Sequence, residues 1–456
     1  MQRLTIGTMQ ARSARMMGQG KEIWTRFCEI AALPFSRVGR KRLWPSIWYR
    51  LWPALFPLAG LYRRTLIRRT RVIAVIGSLG KTTATRAITA VLGLPVSRVK
   101  GWNAGGFLAG ALFRIRPGDC VAVIEVGTKF KGRMLRYRRL LKPDLVVVTA
   151  IATEHHRTLG TIAEIRTEKA EMLRHLPETG LVILNGDDPN ALWMKDQTQA
   201  SVLTFGFAEP NNIRASSYRP EGVAGGQFLL HVGDQSCRVR TKLVGQHMVY
   251  ALLASIAVAH AEGVEIKEAI QAIEDLPPTR HRLQPLELTN GVRLLMDDFK
   301  AVYETIEPAL DTLVKIPAAT RVAVLGEIFE PPGNEKAIYQ SLGRRVAQTV
   351  DRVIFLGGAG NYENLSNGAT QEGMASSQIH HATQSVYQAA LLVKEQLGSR
   401  DVVLVKGIGS LRLERIPLIL AGEEVDCRLQ TCRVPMALAC ADCPLLRSSS
   451  QAGGRQ

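Results

Sequence analysis

The stretch VIGSLGKTTATR at residues 75–86 places two glycines three apart, Gly77 and Gly80, ahead of Lys81 and the pair Thr82 and Thr83. Glycines that end a strand and open a helix leave backbone amides free to face an anion. A lysine at the lip of such a loop reaches β- and γ-phosphates, and a hydroxyl beside it can join a Mg²⁺ shell. The loop therefore predicts nucleotide binding through Gly77, Ser78, Gly80, Lys81, Thr82 and Thr83. Its spacing is shorter than the common P-loop pattern, which needs a glycine where Val75 stands.

Three further groups have the chemistry to act with that loop. Glu125 ends an apolar run in IEVGTKFKG, where its carboxylate could face the loop as a magnesium ligand. His155 follows another apolar run in TAIATEHHRTLG, and Lys169 comes fourteen positions later within a helical pattern. Taken singly, a histidine and a helical lysine read as solvated or ion-paired side chains.

The elements that must position these groups are legible as punctuated apolar runs. RVIAVIG (71–77), CVAVIEVG (120–127), DLVVVTAI (144–151) and GLVILNGDD (180–188) are continuous and rich in β-branched residues. Strands buried on both faces have this composition, so a parallel sheet covered by helices is expected, with polar residues at the carboxyl ends of its strands. Residues 210–242 alternate instead, as an antiparallel meander does, and 245–264 reads as one long helix. The Pro-rich segment 274–285 reads as an interdomain linker, and four more apolar runs, at 292–298, 321–328, 352–358 and 401–409, predict a second α/β unit.

A length of 456 residues implies two or three domains, and 46% hydrophobic with 21% charged residues excludes a disordered or fibrous chain. The formal charge of +18 implies an acidic partner. The excess is concentrated: residues 1–71 hold 15 Lys and Arg against Glu22 and Glu29. No Arg/Gly/aromatic repeat accompanies it, which argues against nucleic acid. Three prolines and Arg50 interrupt LWPSIWYRLWPALFPLAGLY (43–62), which argues against a transmembrane helix. Trp and Tyr beside arginines suit a segment lying on an anionic membrane surface, and a helical hairpin packed on the next domain is the alternative. No continuous apolar h-region marks a cleaved secretory signal, so a cytoplasmic protein, at the inner membrane face, is expected.

Seven cysteines are unevenly spread. Cys28, Cys120 and Cys237 read as scattered buried thiols, whereas Cys427, Cys432, Cys440 and Cys443 crowd into the tail. Only the second tail pair has tight C-x-x-C spacing, so a four-thiolate zinc site and a loose tail both remain open.

The loop, Glu125–Gly127, His155 with Gly160–Thr161 and Lys169, and VILNGDDP (182–189) occur in the order seen in the Mur ligase family, which this chain resembles over about residues 70–420. GQHMVYALLA, HRLQPLE, MDDFKAVYETIEPAL, VLGEIFEPPG and LVKGIGSLRLE resemble its later blocks, although Met248 and Ala251 stand where the family's helix motif has asparagines. Composition and the resemblance together imply an α/β chain in four parts. A basic, Trp-rich segment spans 1–69. A P-loop-containing central parallel-sheet domain follows at 70–277. A smaller, Rossmann-like C-terminal domain covers 278–425, and a Cys-containing tail covers 426–456. The resemblance also implies roles. Lys81 and the loop amides would hold ATP phosphates, Thr82 and Glu125 one Mg²⁺, and His155 with Lys169, the latter carbamylated in several family members, a second. Arg282, Asp298 and Lys300 would reach ribose and phosphates from the last domain. The implied reaction joins a substrate carboxylate to an amine through an acyl phosphate, on a cell-envelope glycan or lipid-linked precursor. Addition of D-alanyl-D-alanine to a peptidoglycan precursor is the narrower alternative. An ATP-binding scaffold without catalysis is a rival of another class.

Overall fold

The computed structural model describes residues 51–447 apart from 52, 96–102, 384, 396, 433, 435 and 437. Cys28 and residues 43–50 of the Trp-rich stretch lie outside the described residues. Helix α1 (residues 53–64) leads through a turn into β1 (Arg71–Ile76). Then come α2 (Lys81–Val91), β2 (Val121–Glu125), α3 (Arg133–Leu141), β3 (Leu145–Val148), α4 (Ile162–Ala170), β4 (Leu181–Asn185) and β5 (Ser201–Gly206). The strands β6 (Ile213–Pro220), β7 (Gly226–Val232) and β8 (Gln235–Thr241) precede α5 (Val249–Ala261).

These eight strands form one sheet in the order β2-β1-β3-β4-β5-β6-β7-β8, parallel as far as β6 and antiparallel from β6 to β8. Period-two geometry explains why β1 reads as an unbroken apolar run. Val72, Ala74 and Ile76 pack into the core on one face, and Ile73 and Val75 into the core on the other. Because β1 lies between β2 and β3, the turn that follows it emerges beside the carboxyl ends of both neighbours, which is where open α/β sheets bind ligands.

The chain crosses at residues 275–283 to a second sheet of β9 (Gln284–Glu287), β10 (Arg293–Asp297), β11 (Arg321–Gly326), β12 (Arg352–Leu356), β13 (Ile379–His381) and β14 (Val402–Lys406). Its order is β13-β12-β11-β14-β10-β9, with only β9 antiparallel. Helix α6 (Ile306–Val314) packs against its core.

Several expectations change. The segment read as one helix over 245–264 begins with a 3₁₀ turn, Gln246–Met248, before α5. Strands β5, β9 and β13 are additional; β9 carries Pro285, which an edge strand tolerates because its other side has no ladder to complete. Cys120 is exposed and Cys237 half-buried, so neither is the buried thiol expected.

The tail is not loose. Arg415 donates to the carbonyls of Cys427 (3.0 Å) and Leu429 (2.8 Å), and Arg412 to that of Leu438 (2.9 Å), while Leu446 joins the core of the C-terminal domain. Its four cysteines line one small cavity, yet among the described residues no three Cys, His, Asp or Glu side chains gather as ligands of one metal. Cys440 is buried, and burial with Glu414 pushes its thiol up. The geometry of the described residues gives the four-thiolate zinc reading no support.

Candidate active site

The loop after β1 is shaped by what surrounds it. Gly77 has φ 137°, and a Cβ there would lie 2.1 Å from Thr149 Oγ1. Thr149, just past β3, donates to Leu79 O at 2.6 Å, and Ser78 Oγ donates to Ala152 O at 3.0 Å. These bonds fasten the loop to the end of β3. Gly80, with φ 78°, caps α2, so the helix begins with its free N–H groups turned to the space beyond the strands.

Lys81 folds back over this loop, donating to Gly77 O (2.8 Å) and Ser78 O (2.6 Å). Thr82 donates to Glu125 Oε2 at 2.9 Å, and Asn103 donates to Glu125 Oε1 at 2.5 Å, so the carboxylate at the end of β2 is aimed at the loop. Lys169 is only 2% exposed and donates to Gly77 O at 2.9 Å. Its helix is set locally. Thr161 and Glu164 form a capping box, and Glu168 accepts from the amides of Gly132 (2.7 Å) and Met134 (2.8 Å) at the start of α3. Asp188 fixes the end of β3 by accepting from Ile151 N at 2.6 Å.

Glu154 completes the site and was not singled out from the sequence. Its carboxylate is 4% exposed, lies 3.5 Å from Lys81 Nζ and accepts from Lys300 of the C-terminal domain. Burial works to raise its pKa, but Lys81, Lys300 and Lys169 outweigh it and hold the carboxyl far below its ordinary range. The lysines respond in kind. Burial and then Lys81 pull Lys169 down to about 7 and Lys300 to about 8. Burial pushes His155, whose Nε2 is 3.5 Å from Glu154, down to about 4, so its ring is neutral near pH 7. His155 is held in the left-handed region at φ 65°, edge-on to Phe329 of the C-terminal domain.

The structure thus brings Lys81, Thr82, Glu125, His155, Lys169 and Lys300 together. Arg282 lies over the Phe299 ring at 4.5 Å and within the field of Lys300, and Asp298 is fully buried against His281 Nδ1 at 2.8 Å. The two domains are joined across the cleft by Thr153 N donating to Glu304 (2.7 Å) and by Arg86 donating to Thr279 (2.5 Å). Asn103 and Glu304 also escaped the sequence reading. Glu154 adjoins His155 at a strand end, but its partner Lys300 comes from the other domain.

A site of three lysines, freed helix amides and one strand-end carboxylate suits a phosphate chain. Among the described residues no three His, Cys, Asp or Glu side chains form a closed metal cage. That fits Mg²⁺, which takes one or two protein oxygens and completes its shell with water and substrate phosphate. Phosphates arriving beside Lys169 and Lys300 raise both pKa values, so binding should draw protons from solution. At about pH 8, titrating a non-hydrolysable Mg-ATP analogue in two buffers of different ionisation enthalpy should show uptake of roughly half a proton or more. Zero uptake, or release, would place the phosphates away from these lysines.

Comparison with known proteins agrees with this geometry. The profile described as Mur ligase middle domain matches residues 75–259, and that described as Mur ligase, glutamate ligase domain matches 281–409. UDP-N-acetylmuramoyl-tripeptide–D-alanyl-D-alanine ligase of Mycobacterium bovis is 27% identical over 373 residues, covering 77% of this chain and 73% of the relative. The Bacillus subtilis protein of the same name is 27% identical over 370 residues, covering 80% and 78%. Among solved structures, MurF from Thermotoga maritima in complex with ADP aligns with a TM-score of 0.71 at 20% identity, over 82% of this chain and 84% of that one.

Proposed function

The chain belongs to the Mur ligase family of ATP-dependent ligases that form C–N bonds, and from that premise we propose that it joins an amine to the carboxylate of a cell-envelope precursor in the cytoplasm. The observation that carries this reading is the convergence of Lys81, Lys169 and Lys300 on a helix N-terminus that also faces the Thr82–Glu125 pair. A binding scaffold needs the loop but has no use for a buried lysine and a strand-end carboxylate beside it.

In the proposed reaction the loop amides and Lys81 hold the phosphate chain of ATP, and Lys300 approaches from the other domain. Thr82 and Glu125 would hold Mg²⁺, which would supply charge neutralisation at the phosphates; His155 and Lys169 would share a second ion with substrate. With phosphate charge offset, a substrate carboxylate oxygen attacks the γ-phosphorus, ADP departs and an acyl phosphate forms. The amine then attacks the acyl carbon, and phosphate leaves. The contact between Thr153 and Glu304 holds the domains together over the site, which would exclude water that hydrolyses the acyl phosphate.

The printed names of the relatives favour a narrower reading, in which the acid is a UDP-muramoyl tripeptide and the amine is D-alanyl-D-alanine. ADP release measured across muramoyl and uronic-acid acceptors paired with amino acids and dipeptides decides between them. We expect one acid–amine pair to raise turnover at least about tenfold over ATP alone, and EDTA to abolish it. Stimulation by the tripeptide with D-alanyl-D-alanine selects the narrower reading. A different acid–amine pair removes it, and no stimulation by any pair favours the scaffold.

A further inference from the structure

Helix α1 turns apolar side chains in two directions. On the inner side Leu55, Phe56, Ala59 and Tyr62 pack on the central domain, with the Phe56 and Tyr137 rings 6.1 Å apart and Tyr62 Oη donating to Ile115 O at 2.7 Å. Arg63 fastens the end of the helix. It is 6% exposed and donates to the carbonyls of Leu141 (2.8 Å) and Lys142 (3.0 Å) where α3 stops. The outer side has no such partner among the described residues. Ala54, Leu58 and Leu61 recur at the four- and three-residue steps that share one helix face. Leu58 is 57% exposed, Leu61 54%, and Leu51 before them 51%; Leu66, in the turn that follows, is 62% exposed. A row of this kind in water marks a contact surface rather than a scatter of single exposed leucines.

The flank of the row is basic. Arg64 and Arg68, with Arg138, Arg139, Lys142 and His175, line an open groove of about 730 Å³. Asp144 is the one carboxylate on its wall, and Arg63 engages it at 3.3 Å. Arg69 extends the exposed cations past the groove.

We infer that the outer face of α1 and the adjoining arginine groove form a docking surface for an anionic phospholipid bilayer. Charge complementarity and the leucine row together select this partner. Leucines enter the boundary of the acyl chains while guanidinium groups stay at the level of the lipid phosphates. A nucleic acid would use the arginines but leave the leucines in water. A second copy across a two-fold axis would set one basic groove against another. Among the described residues no helix is long and apolar enough to cross a bilayer.

The test is sedimentation of the full chain, without nucleotide, against vesicles of phosphatidylcholine alone and with about 30% phosphatidylglycerol. Binding to the anionic vesicles only, weakening several-fold as salt rises to about 0.5 M, is expected. Leu58→Glu with Leu61→Glu should weaken it at least about tenfold, as should Arg64→Ala with Arg68→Ala. These side chains are exposed, so both pairs should keep the parent melting temperature and nucleotide affinity. Equal binding to neutral vesicles, or leucine variants that bind vesicles like the parent, overturns the inference. So does duplex DNA binding that outcompetes the vesicles, or a dimer that only the leucine variants dissolve. Because no nucleotide is present, failure here is separate from failure of the ligase reading.

Discussion

Lys169→Met is expected to lower ligase turnover by about a hundred- to a thousandfold while leaving nucleotide affinity within a few-fold of the parent. Methionine fills the volume of a side chain that is 2% exposed, so the fold should tolerate the change. What is lost is a nitrogen bonded to Gly77 O at the root of the phosphate loop. Burial and Lys81 already hold that amine at about 7, so a large fraction is uncharged near neutrality. Such an amine contributes less to ground-state phosphate binding than Lys81 does, and it is in the form that reacts with CO₂. Initial rates for turnover, with equilibrium binding of a non-hydrolysable analogue, check both halves. Turnover that survives would remove Lys169 from the chemistry. Collapse of binding and turnover together would make it a simple phosphate contact.

Glu154→Gln should move two quantities in opposite directions. In the protein without nucleotide, Glu154 is the counter-ion of Lys81 and Lys300 and lies within the field of Lys169. Removing its charge leaves the buried Lys81 and Lys169 and the half-buried Lys300 facing one another, which should destabilise the unliganded fold by about 3 kcal/mol. The same carboxylate occupies the ground that phosphates claim, because it satisfies the lysines that would otherwise meet them. Without it, the affinity for ADP should rise by roughly tenfold. Thermal melting with and without ADP measures both: a lower melting temperature alone, and a larger ligand-induced rise than in the parent. A variant whose nucleotide affinity falls would instead make Glu154 part of the bound state.

The contrast between these two residues explains how much of the molecule was readable in advance. Lys81, Thr82 and Glu125 announce themselves because each sits at the end of a buried apolar strand or at the helix it feeds, a purely local pattern. The strands themselves were legible for the same reason: Val72–Ile76 is buried on both faces and contains nothing polar. Glu154 was not legible as a functional group, since its meaning depends on Lys300, 146 residues away and on another domain. Asp298 shows the reverse. Its motif stands out in the sequence, whereas its partner His281 does not. The tail cysteines share a cavity, and the Glu414 carboxylate that accepts from Cys440 N is a neighbour that sequence spacing does not reveal.

The loop that sets this site contains two glycines that a motif writes with one letter, and the fold requires them for unlike reasons. At position 77 the obstacle is steric: Thr149 Oγ1 stands where any Cβ would go, so the position is closed to every other residue. At position 80 the space beside the backbone is open, the nearest atom being Thr149 Cβ at 3.8 Å, and the demand is only for a positive φ. Asparagine meets that demand at small cost, whereas β-branched residues do not. Of the two, the second glycine is therefore the one that a substitution can reach, with asparagine as the replacement the loop best accommodates.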